Sequence, residues 1–275
     1  MHSTNEPGRI RGRQAGQAAV ETAIIVPMMV FIILGIIQLG MVHNARLMTE
    51  YAVYRAVRSG IVNNGDCALM RRAALAGLLP TLAPLPNRGA ESYTLPLAVG
   101  LYNAYSDELR KRESFYSSVG LPLMRVEVVN PKKSELDGLF STYGAHLDQL
   151  ELDYDDVRDD RIVEANLLSV RLTYFYELRI PFANWQLHSF YMGREFLDQL
   201  KGHQFESQRV GGKSATQYLL DRGAARDSDH GKIAKLARSS KGRYLIPLVA
   251  TWSMRMQSNL LNNSRYGPGS CAVDN

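Results

Sequence analysis

Glu21 stands at the head of an apolar run in which no charged residue appears before His43. A carboxylate in such a run costs on the order of 3 kcal/mol if it reaches a membrane centre, so it calls for a cation nearby. Cleavage after Gly16 would supply one, the new α-amino group of Gln17. The other pair with chemistry to offer is Cys67 and Cys271, the two cysteines of the chain. They are too few to hold a metal unaided. In an oxidising compartment they could form a disulfide that ties the tail to the exit of the long apolar segment. A loop of that length would be stabilised by about 4 to 5 kcal/mol in the chain-entropy model. Two separate free thiols are the alternative.

Other motifs fall short of chemistry. Gly212-Lys213-Ser214 resembles the end of a phosphate-binding loop, but Ser207 stands where its first glycine belongs, and no strong apolar strand precedes it. The acidic run from Glu151 to Asp160 invites calcium, yet a loop started at Asp153 would put Arg158 at the position of the turning glycine. A solvated acidic loop is the expectation. His43, His146, His188, His203 and His230 show no paired metal spacing. No nucleophile elbow and no Cys-His constellation is present. The chain is expected to be no enzyme and to need no metal or cofactor.

The element that must position Glu21 is a helix. The 21 residues between Glu21 and His43, at 1.5 Å each, span about 30 Å, the hydrocarbon thickness of a bilayer. The run exceeds the apolar core of a removable secretory signal, and His43-Asn44-Ala45-Arg46 makes a poor cleavage site for one. An uncleaved signal anchor and a buried soluble helix are the competing readings. Arg9, Arg11 and Arg13 form a basic flank that favours a cytoplasmic start. Pro27 removes a backbone donor and frees the carbonyl of Ala23, which predicts a kink that Thr22 could relieve. Gly35 and Gly40 would admit a second helix closely. Past the apolar run, Leu47, Tyr51, Tyr54 and Arg58 recur at helical spacing, with Ala45, Ala52 and Ala56 also available. Gly60 and Asn63-Asn64-Gly65 end this amphipathic continuation.

About 215 residues follow, enough for one sizeable core. The net charge of +5 is spread among 27 acidic residues with no dense basic run beyond the anchor. It reads as solubility and affinity for a membrane surface, not as nucleic-acid recognition. Residues 168–180 and 244–256 alternate apolar and polar side chains, and 123–129 does so over a shorter stretch; Phe175 alone breaks the polar face of the first. Pro247 predicts an edge position or a bulge. One apolar and one wet face per strand predicts an antiparallel sheet covered on one side by helix. Helices are expected at 67–79, 97–112, 134–150 and 184–200. Residues 202–242 turn polar and glycine-rich and read as an exposed insertion. The fold class is α+β: a long N-terminal membrane-spanning helix, then a soluble domain of antiparallel sheet and helices.

Gly16-Gln17-Ala18-Ala19-Val20-Glu21 resembles a prepilin-type cleavage site, with Gly16 ending a basic leader and Glu21 fifth in the mature chain. Glu21-Thr22-Ala23-Ile24-Ile25-Val26-Pro27, Gly35-Ile36-Ile37-Gln38-Leu39-Gly40 and Tyr54-Arg55-Ala56-Val57-Arg58-Ser59-Gly60 extend the likeness. Together they resemble the TadE/TadF-type minor pilins, or pseudopilins, of tight-adherence (Flp) pilus systems. One departure is Gln38, where members of that family often carry an acid. The resemblance implies a leader at 1–16, a transmembrane helix with its extension at 17–60, and a periplasmic, pilin-like domain at 61–275. It implies a single pass through the bacterial inner membrane, with possible entry into an extracellular pilus. The implied partners are a prepilin peptidase acting at Gly16, other pilin-like subunits registered through Glu21, the Tad secretion machinery and the lipid bilayer. The alternative is a signal-anchored periplasmic binding or scaffold module that is neither processed nor part of a filament.

Overall fold

The computed structural model describes residues 14–82, 106–107, 109–143, 151–200, 228–239, 242–261 and 267–274. Its first element, α1 (Gln14–Val62), is one helix of 49 residues that runs unbroken through Pro27. The Thr22 hydroxyl donates to the Ala18 carbonyl at 2.8 Å and so does not serve the carbonyl of Ala23, as the sequence suggested. The helix passes Gly60 by two residues and closes in a turn where Asn64 (φ 57°) and Gly65 (φ 73°) are left-handed. The Gly65 N–H donates to the Gly60 carbonyl at 2.9 Å, the six-to-one bond that satisfies a terminal carbonyl at such helix ends. Asp66 caps the next helix, α2 (Cys67–Leu82), its Oδ1 accepting from the N–H groups of Ala68 and Leu69 at 2.7 and 3.1 Å. This helix continues three residues past the expected end at Leu79.

The two helices form an antiparallel hairpin. A Cβ at Gly77 would lie 2.8 Å from the Ala52 Cα, and one at Gly60 would lie 2.7 Å from the Met70 sulfur. The face that α1 buries is therefore made of small residues: Ala45, Thr49, Ala52, Val53, Ala56 and Val57. Leu47 and Tyr51 remain about half exposed. The amphipathic continuation exists, but it is the alanine face, not the Leu47–Tyr51 side, that meets the domain, because backbones this close admit nothing larger. The Gly77→Ala substitution is expected to cost about 2 kcal/mol of stability by forcing the helices apart. Denaturant unfolding of the detergent-solubilised protein measures it, and a wild-type midpoint would contradict the close approach.

A three-stranded antiparallel sheet lies against this hairpin in the order β1 (Met124–Asn130), β3 (Leu167–Glu177), β4 (Leu245–Arg255). Two-residue strands β2 (Glu151–Leu152) and β5 (Leu260–Leu261) pair separately. Register pairs Tyr174 with both Met124 and Leu248, and Phe175 with Pro247. β4 is an edge strand, as Pro247 demands. β3 stops three residues before the expected Ile180. Leu178 still donates to the Tyr244 carbonyl (2.9 Å), but the Ile180 N–H turns away to α1.

The sheet is not bare on its second face, as the alternation had suggested. Arg125, Thr173 and Phe175 share that face, Phe175 fully buried, and Arg125 holds Asp229 of α7 (Asp229–Ala237) at 2.7 and 2.9 Å. Ile233, Ala234 and Leu236 of α7 are buried in the same core. The expected polar insertion at 202–242 is thus, over its described end, a packed amphipathic helix. Its short apolar period was masked by Gly, Asp and Lys around it, and residues 202–227 lie outside the described residues. Residues 109–117 form α3, continuing past the expected Arg112, while the start of that expected helix is not described. The helix expected at 134–150 is α4 (Lys133–Tyr143), with 144–150 not described. α5 (Asp160–Ala165) and α6 (Ala183–Leu200) complete the α+β arrangement, α6 starting within one residue of its expected position.

Candidate membrane and assembly helix

The N-terminal half of α1 projects from the domain with its apolar side chains uncovered. From Val20 to Leu39 the large apolar side chains other than Leu34, which is partly covered, expose between 47 % (Ile33, Ile37) and 65 % (Ile24, Ile36) of their surface. Exposed apolar surface on this scale marks a lipid or protein interface. α1 is the one helix among the described residues that is long and apolar enough to cross a membrane, and its length and composition fit membrane anchoring. Glu21 lies in this exposed part. Ala18, Ala19, Thr22, Ala23 and Val26 leave a shallow apolar notch beside Pro27. Gly35 and Gly40 face open space, so no element among the described residues packs on them.

The domain grips the apolar half of the helix at Gln38. This side chain is fully buried, and its Oε1 accepts the Ile180 N–H at 2.7 Å. Among the described residues its Nε2 has no partner. A neutral amide makes this bond without burying a charge, whereas an acid at the same place would bring one. Further toward the N-terminus, Phe182 sets its ring edge-on to Phe31, with centroids 5.7 Å apart. Phe182 is left-handed (φ 66°), a conformation bulky residues rarely take. Sequence reasoning missed both Gln38 as an anchor and Phe182 as a contact. The available signal was an aromatic pair, Phe182 and Trp185, directly after Pro181, where the alternation of 168–180 stops.

At the other end of α1 the structure joins Cys67 to Cys271 in a disulfide across 204 positions of sequence. The tail it holds pairs with β1. Val128 donates to the Cys271 carbonyl at 2.7 Å, and Val273 donates to the Val128 carbonyl at 3.1 Å. The Asp274 Oδ1 then accepts the Ser134 N–H at 2.8 Å, capping α4, and this bond holds the carboxyl below its usual pKa. One bridge thus fastens the exit of α1, the start of α2 and the outer edge of the sheet.

The remaining sequence candidates serve the fold. Asp156 takes the Arg158 guanidinium, and Asp159 takes the Arg161 guanidinium together with the Tyr143 hydroxyl. These contacts push both carboxyls below their ordinary range, Asp156 to about 2. Among the described residues no group of His, Cys, Asp and Glu gathers as a metal site. His188 is buried on α6 with Nδ1 3.0 Å from the Leu245 carbonyl, which makes Nδ1 the donor; burial lowers its pKa and keeps the ring neutral. His230 meets the Tyr191 hydroxyl at 2.8 Å and Glu195 at 3.3 Å. His146, His203 and Gly212-Lys213-Ser214 lie outside the described residues, as does the leader up to residue 13, while Gly16 and Gln17 fall within the helical backbone of α1.

No curated protein and no solved structure matches the chain. A family match falls on the helix described above, including Gly16, Glu21, Pro27, Gln38 and the alanine face. Residues 16–58 match the family described as TadE-like protein, and the amino-terminal segment of this chain is TadE-like.

Proposed function

We propose that this chain is a minor pilin or pseudopilin that takes part in assembling a Tad/Flp-type pilus. The observation that carries the reading is the uncovered apolar half of α1, with Glu21 near its start, within a TadE-like segment. A prepilin peptidase would cleave after Gly16 and leave Gln17 as the new terminus. The mature helix would sit in the inner membrane with residues 61–275 in the periplasm, where the Cys67–Cys271 disulfide is at home. For assembly, the Glu21 carboxylate would meet the Gln17 amine of a neighbouring subunit. Each charge offsets the other's desolvation, and the pair specifies register more surely than it adds stability. The small notch around Ala19 and Ala23, with Gly35 and Gly40, supports close helix approach. Pro27 would give the helix a soft point at which to bend on joining a neighbour.

Processing can be tested at the junction. The Gly16→Leu variant is expected to accumulate at full length in membranes of cells whose prepilin peptidase is active on a second substrate. Immunoblotting measures it. A product of mature size from that variant would remove Gly16 as the cleavage site. Deletion of the gene is expected to reduce surface pili sharply, since every contact the subunit makes is lost with it. Unchanged piliation would return the chain to the role of an anchored periplasmic module.

A further inference from the structure

We propose that the turn from Ile180 to Trp185 is a second membrane contact, which seats the domain directly on the outer leaflet. The inference rests on the reading of α1 as a membrane span. Its starting point is depth. Phe182 touches Phe31, and Phe31 precedes Val42, the last apolar residue of the run, by 11 positions. At 1.5 Å per residue the Phe182 ring lies about 16 Å inside the apolar segment, measured along the helix. Gln38 and Ile180 fix that position by a buried hydrogen bond, so the turn is not free to drift from the helix.

The chemistry of the turn fits lipid. Phe182 exposes 64 % and Trp185 60 % of their surface. Trp and other aromatic residues concentrate where hydrocarbon meets headgroups. The buried side of α6 is different: Ala183, His188 and Met192 face the core. Phe182 therefore points outward against an apolar helix whose own side chains are uncovered, so those two surfaces are continuous, and Trp185 is exposed three residues further on. The backbone at Ile180 and Ala183 keeps its donors satisfied, by Gln38 and by the Pro181 carbonyl at 2.8 Å, as proximity to lipid requires.

The consequence is a shift of the span. A hydrocarbon slab that ended at Val42 would submerge the whole turn. One that ends close to Phe31 and Leu34 places Phe182 and Trp185 at the interface and draws Glu21 further from the cytoplasmic surface. The domain then rests on the membrane and is not held off it by a stalk of helix.

The chain has two tryptophans, which makes the test direct. The Trp252→Phe variant of the full chain, in phosphatidylethanolamine–phosphatidylglycerol vesicles, leaves Trp185 as the reporter. Lipids brominated near the headgroup end of their acyl chains are expected to quench about half of its emission. The reference is Ile25→Trp in a Trp185→Phe/Trp252→Phe background, which reports on α1 itself through lipids brominated further down the chain. If the reference is quenched and Trp185 is not, the second contact falls and the membrane span stands. If neither is quenched, the span falls and takes the second contact with it. Shielding of Trp185 from aqueous acrylamide without quenching by either lipid would mean that a second copy of the chain covers the turn, and would also overturn the proposal.

Discussion

The Glu21→Ala variant is expected to reach the membrane at wild-type levels and to lose incorporation into assembled pili at least tenfold, about 1.4 kcal/mol or more of subunit contact. Insertion should survive because the change makes the apolar segment more apolar. Assembly should fail because the Gln17 amine of the neighbouring subunit would be left in lipid without its counter-charge, and breaking such a pair costs far more than the intact pair contributes. The measurement is the ratio of variant to wild-type chain in sheared pilus fractions, normalised to membrane content. Equal ratios would remove the register role from Glu21. Glu21→Gln separates charge from shape. It should resemble Ala if the carboxylate charge is what matters, and wild type if a hydrogen bond suffices.

Removal of the disulfide ranks beside it. The Cys67→Ala/Cys271→Ala variant is expected to lose about 3 to 5 kcal/mol of stability, since the bridge closes a loop of 204 positions and so restricts the unfolded chain heavily. The effect should be local first. Without the bridge, the tail that pairs with Val128 and caps α4 through Asp274 should become the earliest site of protease cleavage. Denaturant unfolding and limited proteolysis of the solubilised protein, with and without reductant, measure both effects. A variant as stable as the oxidised wild type would show that the tail packs adequately unaided.

Much of the architecture was legible because it rests on strong periodic signals. The apolar run, the 11-residue alternations of β3 and β4 and the edge position forced by Pro247 were all readable. The turn at Asn64-Gly65 was readable too, because few residues accept its left-handed backbone. The α+β class and the TadE-like segment follow from the same signals. What was not legible depends on contacts distant in sequence. Nothing local marks the alanine face of α1 as the buried one; that is decided by Gly77, 25 positions on from Ala52. Phe175 reads as a flaw in a polar face, yet it is fully buried, with Arg125 over its ring and Asp229 of α7 on Arg125. That helix lies in a segment whose composition reads as loop, since nine residues give too short a window for periodicity to show. The anchoring role of Gln38 is equally non-local, because its partner is the backbone of Ile180.

The candidate site divides the same way. Glu21 and Gly16 stand out in the sequence through their setting, a lone carboxylate in an apolar run and a glycine before it. Phe182 and Trp185 acquire meaning when the fold sets them beside α1. Cleavage after Gly16, the pairing of Glu21 with Gln17 and the periplasmic side of the domain are the proposals that connect this helix to a pilus.

Those proposals meet in one observable, the mass and N-terminal sequence of the protein recovered from native membranes. The account predicts a chain that begins at Gln17, as glutamine or cyclised to pyroglutamate. A chain that retains Met1 to Gly16, in cells whose peptidase processes another substrate, would contradict it and leave a signal-anchored periplasmic module.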